Sequence, residues 1–215
     1  MKTPSHAIIN LAILGKPQLP QFNLIIAIGG ILPDLPIFLF YFWAKYIARL
    51  PEAKIWSESY YEPFVQNLVA LFHSIPLAVI GWLIAYYFGR QNLQILFLSM
   101  ILHSLGDLPV HNDDAHRHFF PFSNYRFISP ISYWDRNHYG SIVSLVEMLL
   151  VMLSTYRVFD FVNSSVGKIL LILVNCFYLI GSVSFYVRSL ISRSDSAVET
   201  AIIHTKSTPS GLKIR

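Results

Sequence analysis

The feature that most constrains this chain is a succession of long apolar runs separated by short polar breaks. Residues 23–43, 68–88 and 168–188 are each long enough to cross a bilayer, whose hydrocarbon core of about 30 Å takes about 20 apolar residues in a helix. Residues 93–108 and 141–157 are somewhat shorter runs, and 6–15 is a short apolar segment ahead of them. Hydrophobic residues make up 54% of the 215 and charged ones 13%, whereas a soluble domain carries about a quarter charged. So few charges do not cover a water-facing surface. The expected fold is all-α, a multi-pass transmembrane helical bundle forming one membrane-embedded domain over 1–191. A polar tail, 192–215, is expected to lack fixed structure.

The breaks organise the runs. Gly15, Pro17 and Pro20 end the first segment, and the polar turn 89–92 folds 68–88 back on 93–108 as an antiparallel hairpin. Residues 51–67 read as a polar, tyrosine-bearing loop. The aromatic stretch from Ile37 to Leu50 either continues the second helix or lies along the interface. Between the hairpin and 141–157 lies a long His/Asp-rich loop, 109–140.

The chemistry concentrates at the start of that loop, in LHSLGDLPVHNDDAHRH from Leu102 to His118. His103 and Asp107 are four apart and share a helix face. Imidazole and carboxylate on one face suit a divalent cation of the zinc or manganese type. His111, His116 and His118, with Asp113 and Asp114, follow at once. Two further polar groups interrupt apolar runs elsewhere: Asp34, between Pro33 and Pro36, and His73, near the start of 68–88. A carboxylate inside an apolar run is costly unless something binds it.

Helix rise tests whether these residues can meet. At about 1.5 Å per residue, His73 lies roughly 25 Å back from the turn at Arg90, and Asp107 roughly 25 Å out on the returning helix. They are level, with His103 about one turn away. His6 and Asp34 lie on opposite arms of the 16–21 turn, within about a turn of level. Glu147 re-enters near the same end. The candidate metal ligands are therefore His6, Asp34, His73, His103, Asp107, His111, His116 and His118. Asp113, Asp114 and Glu147 are candidates to take a proton. Lysines and arginines are denser at this end, which by the positive-inside rule places it at the cytoplasmic face.

The motifs in this order resemble those of the membrane-bound metal-dependent hydrolases of the inner membrane, some described as LexA-binding. The matching residues are Ser5-His6, Pro33-Asp34, His73-Ser74, and His103 with Asp107, over roughly the first half of the chain. Two positions depart from the pattern. Pro36 stands where the family often has a second aspartate, and Leu68 and Val69 where it often has histidine-arginine. The resemblance implies hydrolysis by a metal-activated water. A site at headgroup depth suggests an amphiphilic substrate, a lipid or phosphoester.

Other readings compete. His103 with Asp107 also reads as an intrahelical hydrogen bond, Asp34 as part of a surface turn, and 111–118 as a solvated loop. Arg117, Arg126 and Arg136 suit a phosphate or plain positive-inside flanking. A non-enzymatic membrane protein binding or transporting a metal ion or protons, or a structural or regulatory module, is the alternative function. The net charge of +4 reads as membrane flanking, and no nucleic-acid partner is expected. Cys176, the single cysteine, excludes an internal disulfide and reads as a packing residue. No HExxH motif, phosphate loop or nucleophile elbow is present.

Overall fold

A computed structural model of the chain describes residues 1–184, and within them every regular element is helical. The expected tail at 192–215 and the end of the run 168–188 lie outside the described residues.

Helix α1, Thr3–Leu14, starts with Pro4 in its first turn, where a missing N–H costs nothing. α2, Asn23–Ile31, passes through a tight turn at Leu32–Asp34 into α3, Leu35–Phe42, and then through a wider π turn, Trp43–Ile47. Together they make one helical stretch, Pro20–Ile47, so the aromatic segment after Ile37 continues the helix. Pro33 and Pro36 cannot donate to the ladder. The local tightening at Leu32–Asp34 therefore falls where the chain must turn the Asp34 carboxylate inward.

The polar stretch 51–67 differs from the expected loop. It contains α4, Glu52–Ser57, and the first residues of α5, Pro63–Phe72. Residues 68–88 are not one helix, which corrects the continuous run expected from their hydropathy. α5 ends at Phe72 and α6 begins at Ile75, with a 45° bend between them. The cause is local. Pro76 sits in the first turn of α6, and Ser74 caps it, its Oγ accepting from the Leu77 N–H at 3.2 Å. The bend leaves His73 at a corner, wholly buried. α7, Gln91–Asp107, returns against α6. After the loop come α8, Gly140–Phe159, and α9, Ser165–Ser184.

Pro20–Ile47, α8 and α9 are long and apolar enough to cross a membrane, and the bent α5–α6 pair qualifies if counted as one span. Their outward faces are apolar: Leu153 is 66% exposed and Ile180 67%, while Val151 and Val158 on the inner face of α8 are fully buried. Cys176 also faces outward. Exposed apolar faces of this extent point to a membrane protein.

α1 lies against α2, α7 and α8. Ile8, Leu11, Ile26, Val151, Val158, Leu171 and Tyr178 form the main core. Two glycines set how closely these helices approach. A Cβ on Gly30 would stand 2.9 Å from the Cα of Ala7 in α1, and one on Gly29 would stand 2.6 Å from the Leu96 carbonyl oxygen in α7. Polar pins lock the same junction. Asn10 Nδ2 donates to the carbonyl and hydroxyl of Ser99 at 2.8 and 2.9 Å, and the Ser99 hydroxyl donates to the Ile26 carbonyl at 2.7 Å. The Asn10 amide hydrogens and the Ser99 hydroxyl are thereby matched.

Candidate metal centre

The close approach of α2 to α7 brings the ring of His103 onto the backbone of α2. Its Nδ1 lies 2.8 Å from the Gly30 carbonyl oxygen. His73 makes the equivalent contact within its own helix, Nδ1 to the Val69 carbonyl at 2.9 Å. A carbonyl oxygen only accepts, so both Nδ1 atoms carry the hydrogen. In its neutral form each ring then presents an Nε2 lone pair on the opposite edge.

Those lone pairs face two carboxylates. His73 Nε2 is 3.3 Å from Asp34 Oδ1 and 3.8 Å from Asp107 Oδ2, and His103 Nε2 is 3.6 and 3.0 Å from the same two oxygens. Neither Nε2 makes a hydrogen bond among the described residues. A lone pair aimed at an anionic oxygen at such range is repulsive unless a proton or a metal cation lies between. A tetrahedral ion with bonds of about 2.1 Å separates neighbouring donors by roughly 3.4 Å, and the four distances bracket that value. Asp34, His73, His103 and Asp107 are thus positioned to hold a metal ion, each offering one atom within 4.8 Å of the others. All four are buried.

Supporting contacts hold the carboxylates. The Thr3 hydroxyl donates to Asp34 Oδ2 at 2.5 Å, leaving Oδ1 for the histidines. Asp107 divides its oxygens. Oδ2 faces His103 and His73, while Oδ1 lies 2.9 Å from His6 Nε2, 3.1 Å from His111 Nε2 and 2.7 Å from the Met1 ammonium. His6 stacks on His103 with ring centroids 3.8 Å apart, its ring lying over Gly106. It touches Asp107 but belongs to neither group of converging donors.

The loop supplies a second group. Asp107, His111 and His116 also offer atoms within 4.8 Å of one another. His111 Nδ1 lies 3.0 Å from Asp114 Oδ2. His116 packs between His73 and His111, at centroid distances of 4.1 and 4.9 Å, and its nitrogens have no protein partner among the described residues. His118 is buried beside them, but its Nδ1 is 3.3 Å from the His73 carbonyl, and it stays outside both groups. Burial depresses His116 well below the ordinary histidine range and lowers His118 to about 4. His111 moves the other way. Burial opposes its charge, but the Asp107 carboxylate more than offsets that and raises it.

The loop is tied down by its own polar groups. The Ile75 N–H donates to the His118 carbonyl, Ser129 N–H to that of His111, and Tyr133 N–H to that of Val110, all within 3.0 Å. Arg126 donates to the Ala115 carbonyl and to Gln66, and Arg117 to Asn67 and Asn124. These two arginines pin the loop to α5.

The three candidate proton acceptors fall in different places. Asp113 is exposed and borders a cavity of about 770 Å³, whose wall also includes Asp34, Asp114, His111 and His116. Asp114 lies beside His111. Glu147 reaches the expected level but faces elsewhere. It accepts from the Ser5 hydroxyl at 2.6 Å, the Lys2 N–H at 2.7 Å and Lys2 Nζ at 3.2 Å, and so anchors α1 to α8. Ile37, Phe38, Trp56, Trp134 and Phe177 also line the cavity and add apolar surface to it.

Comparison with protein-family models, with curated protein sequences and with solved structures finds no match to this chain.

Proposed function

We propose that the chain is a multi-pass membrane protein that binds a divalent cation at Asp34, His73, His103 and Asp107 and hydrolyses an amphiphilic substrate. The observation that carries this reading is the pair of unpaired Nε2 atoms held against two buried carboxylates. Zinc fits the mixed imidazole and carboxylate set, with manganese second. The outward apolar faces of α8 and α9 supply the bilayer contact. The density of basic residues near the site supports a cytoplasmic-facing site on a plasma or inner membrane.

A cation in this position acts as a Lewis acid, lowering the pKa of a bound water towards neutrality and polarising the scissile group. The chain's own residues do the rest. His73 and His103 are fixed by their Nδ1 bonds and need no reorganisation. Asp113, exposed at the cavity wall, takes the proton from the attacking water and passes it to the leaving group. Ile37, Phe38 and Phe177 receive the apolar part of the substrate, so a lipid or another long-chain phosphoester fits a cavity lined by both polar and apolar residues. This agrees with the resemblance to membrane-bound metal-dependent hydrolases.

The test is metal analysis of the purified, detergent-solubilised protein beside His103→Ala and Asp34→Asn. Wild type should carry zinc or manganese, and both variants should lose it. Asp113→Asn should keep the metal and lose turnover of a long-chain phosphoester. Undiminished metal in both well-folded ligand variants, or none in wild type, overturns the reading.

A further inference from the structure

Asp107 is the one residue common to the two groups of converging donors. Its two oxygens do not share a target. Oδ2 is turned to the helix-borne histidines, His103 at 3.0 Å and His73 at 3.8 Å. Oδ1 is turned to the other side, where His6 Nε2 lies at 2.9 Å and His111 Nε2 at 3.1 Å. A carboxylate with one oxygen towards each of two imidazole groups is the arrangement by which a single residue bridges two cations.

We infer that the protein holds a second divalent cation, bound by Asp107 Oδ1, His111 and His116, so that Asp107 bridges a two-metal centre. The inference rests on the reading of the first site above. Three observations carry it beyond that site. The Met1 ammonium already sits on this side of Asp107, 2.7 Å from Oδ1 and 2.9 Å from His111 Nε2, so the position draws a positive charge. A metal ion there takes the ammonium's place. His116 lines the cavity at the same point, and its ring nitrogens have no protein partner among the described residues, so they are open to a ligand. Asp114 Oδ2 lies 3.0 Å from His111 Nδ1, within reach of the carboxylate support that ligating imidazoles commonly have.

Exposed Asp113 stands at the cavity edge close by. Two-metal centres of this kind space their ions about 3.5–4 Å apart and hold both the attacking and the leaving oxygen of an in-line displacement. The substrate class this favours within the proposed activity is a phosphoester.

The probe is Mn²⁺. Full-length protein in detergent is stripped with chelator, reloaded, freed of excess ion, and measured for manganese per chain and by electron paramagnetic resonance. Wild type should retain two ions per chain with a spin-coupled spectrum. The double variant His111→Ala, His116→Ala should retain one, with an uncoupled six-line spectrum. The volume-preserving His116→Gln should do the same if the double variant fails to fold. One uncoupled ion in wild type overturns this inference and leaves the first site standing. No ion in wild type overturns both. Two coupled ions in the folded variants overturn the assignment to His111 and His116.

Discussion

The helix-borne and loop-borne histidines reach the same aspartate by different means. His73 and His103 stand on packed helices, and each has its Nδ1 bonded to a backbone carbonyl. Their Nε2 atoms are aimed before any ion arrives. His111 is held through its Nε2 contact with Asp107 Oδ1, with Asp114 Oδ2 3.0 Å from its Nδ1, and His116 has only ring packing against its neighbours. The first group is preorganised by main chain, which moves little. The second is set by side chains on a segment without long helices, held by Arg126 and a few loop hydrogen bonds. Order in the free state lowers the cost of binding. The helix-borne site should therefore bind its cation more tightly than the loop-borne one.

The largest effect that can break this comparison is expected at the shared residue. Asp107→Asn keeps the volume but leaves one oxygen acceptor and no charge, so neither group retains its bridging donor. Both metal equivalents should disappear from the purified protein. Retention of one full equivalent would show that the two groups do not depend on a common carboxylate. Next comes the direct contrast. His103→Ala should weaken the tighter site by more than about 100-fold, beyond the 10–100-fold that loss of a mere supporting partner costs. His116→Ala should leave that tighter affinity within a few-fold of wild type while removing the weaker phase. Isothermal titration with Zn²⁺ reads both, and equal losses in the two variants would erase the distinction.

Much of the helix-borne group is legible in the amino-acid sequence alone. The four-residue spacing of His103 and Asp107 fixes a common face. Helix rise from the Arg90 turn places His73 level with Asp107, and the two are 3.8 Å apart across the site. Rise gives level but not rotation, and Glu147 shows the cost. It reaches the expected height and turns to Ser5 and Lys2 instead. His6 sits among the histidines yet contributes only through Asp107. Three features give no signal in residue types alone. The break at His73 follows from Ser74 and Pro76 acting as a helix start, which a continuous apolar run conceals. The need for Gly29 and Gly30 arises only once α1 and α7 lie against α2. Thr3 looks like an ordinary first-turn residue until Asp34 is brought beside it.

The glycine contact sharpens the comparison, because it is what holds the helix-borne group together. Gly30→Ala places a methyl 2.9 Å from Ala7 Cα and 3.0 Å from Ala7 N, both backbone atoms that cannot swing aside. Overpacking of this kind costs about 1–3 kcal/mol, and it displaces the carbonyl that orients His103. The same substitution at Gly181 in α9 meets nothing within 4 Å, and there alanine should add up to about 1 kcal/mol through helix propensity. Thermal unfolding in detergent should thus move in opposite directions for the two variants. Equal shifts would mean that the close approach of α1 to α2 does not depend on that one missing methyl.

The smallest effect tests whether support from a side chain matters even within the preorganised group. Thr3→Val is nearly isosteric and removes only the hydroxyl that donates to Asp34 Oδ2. Asp34 keeps its charge, and Oδ1 keeps its position facing His73 and His103 at 3.3 and 3.6 Å. What is lost is the constraint on carboxylate rotation, the kind of outer contact whose removal weakens metal binding by about tenfold at the low end of its range. The loss should fall on the tighter phase of the titration alone, since the Thr3 hydroxyl bonds to Asp34 and not to His111 or His116. Asp114→Asn is the mirror experiment, loosening His111 and the weaker phase only. If each variant moves its own phase and spares the other, the two groups are separately supported and joined through Asp107. If Thr3→Val weakens both phases alike, the entry of α1 governs the whole centre, and the division between helix and loop is secondary to it.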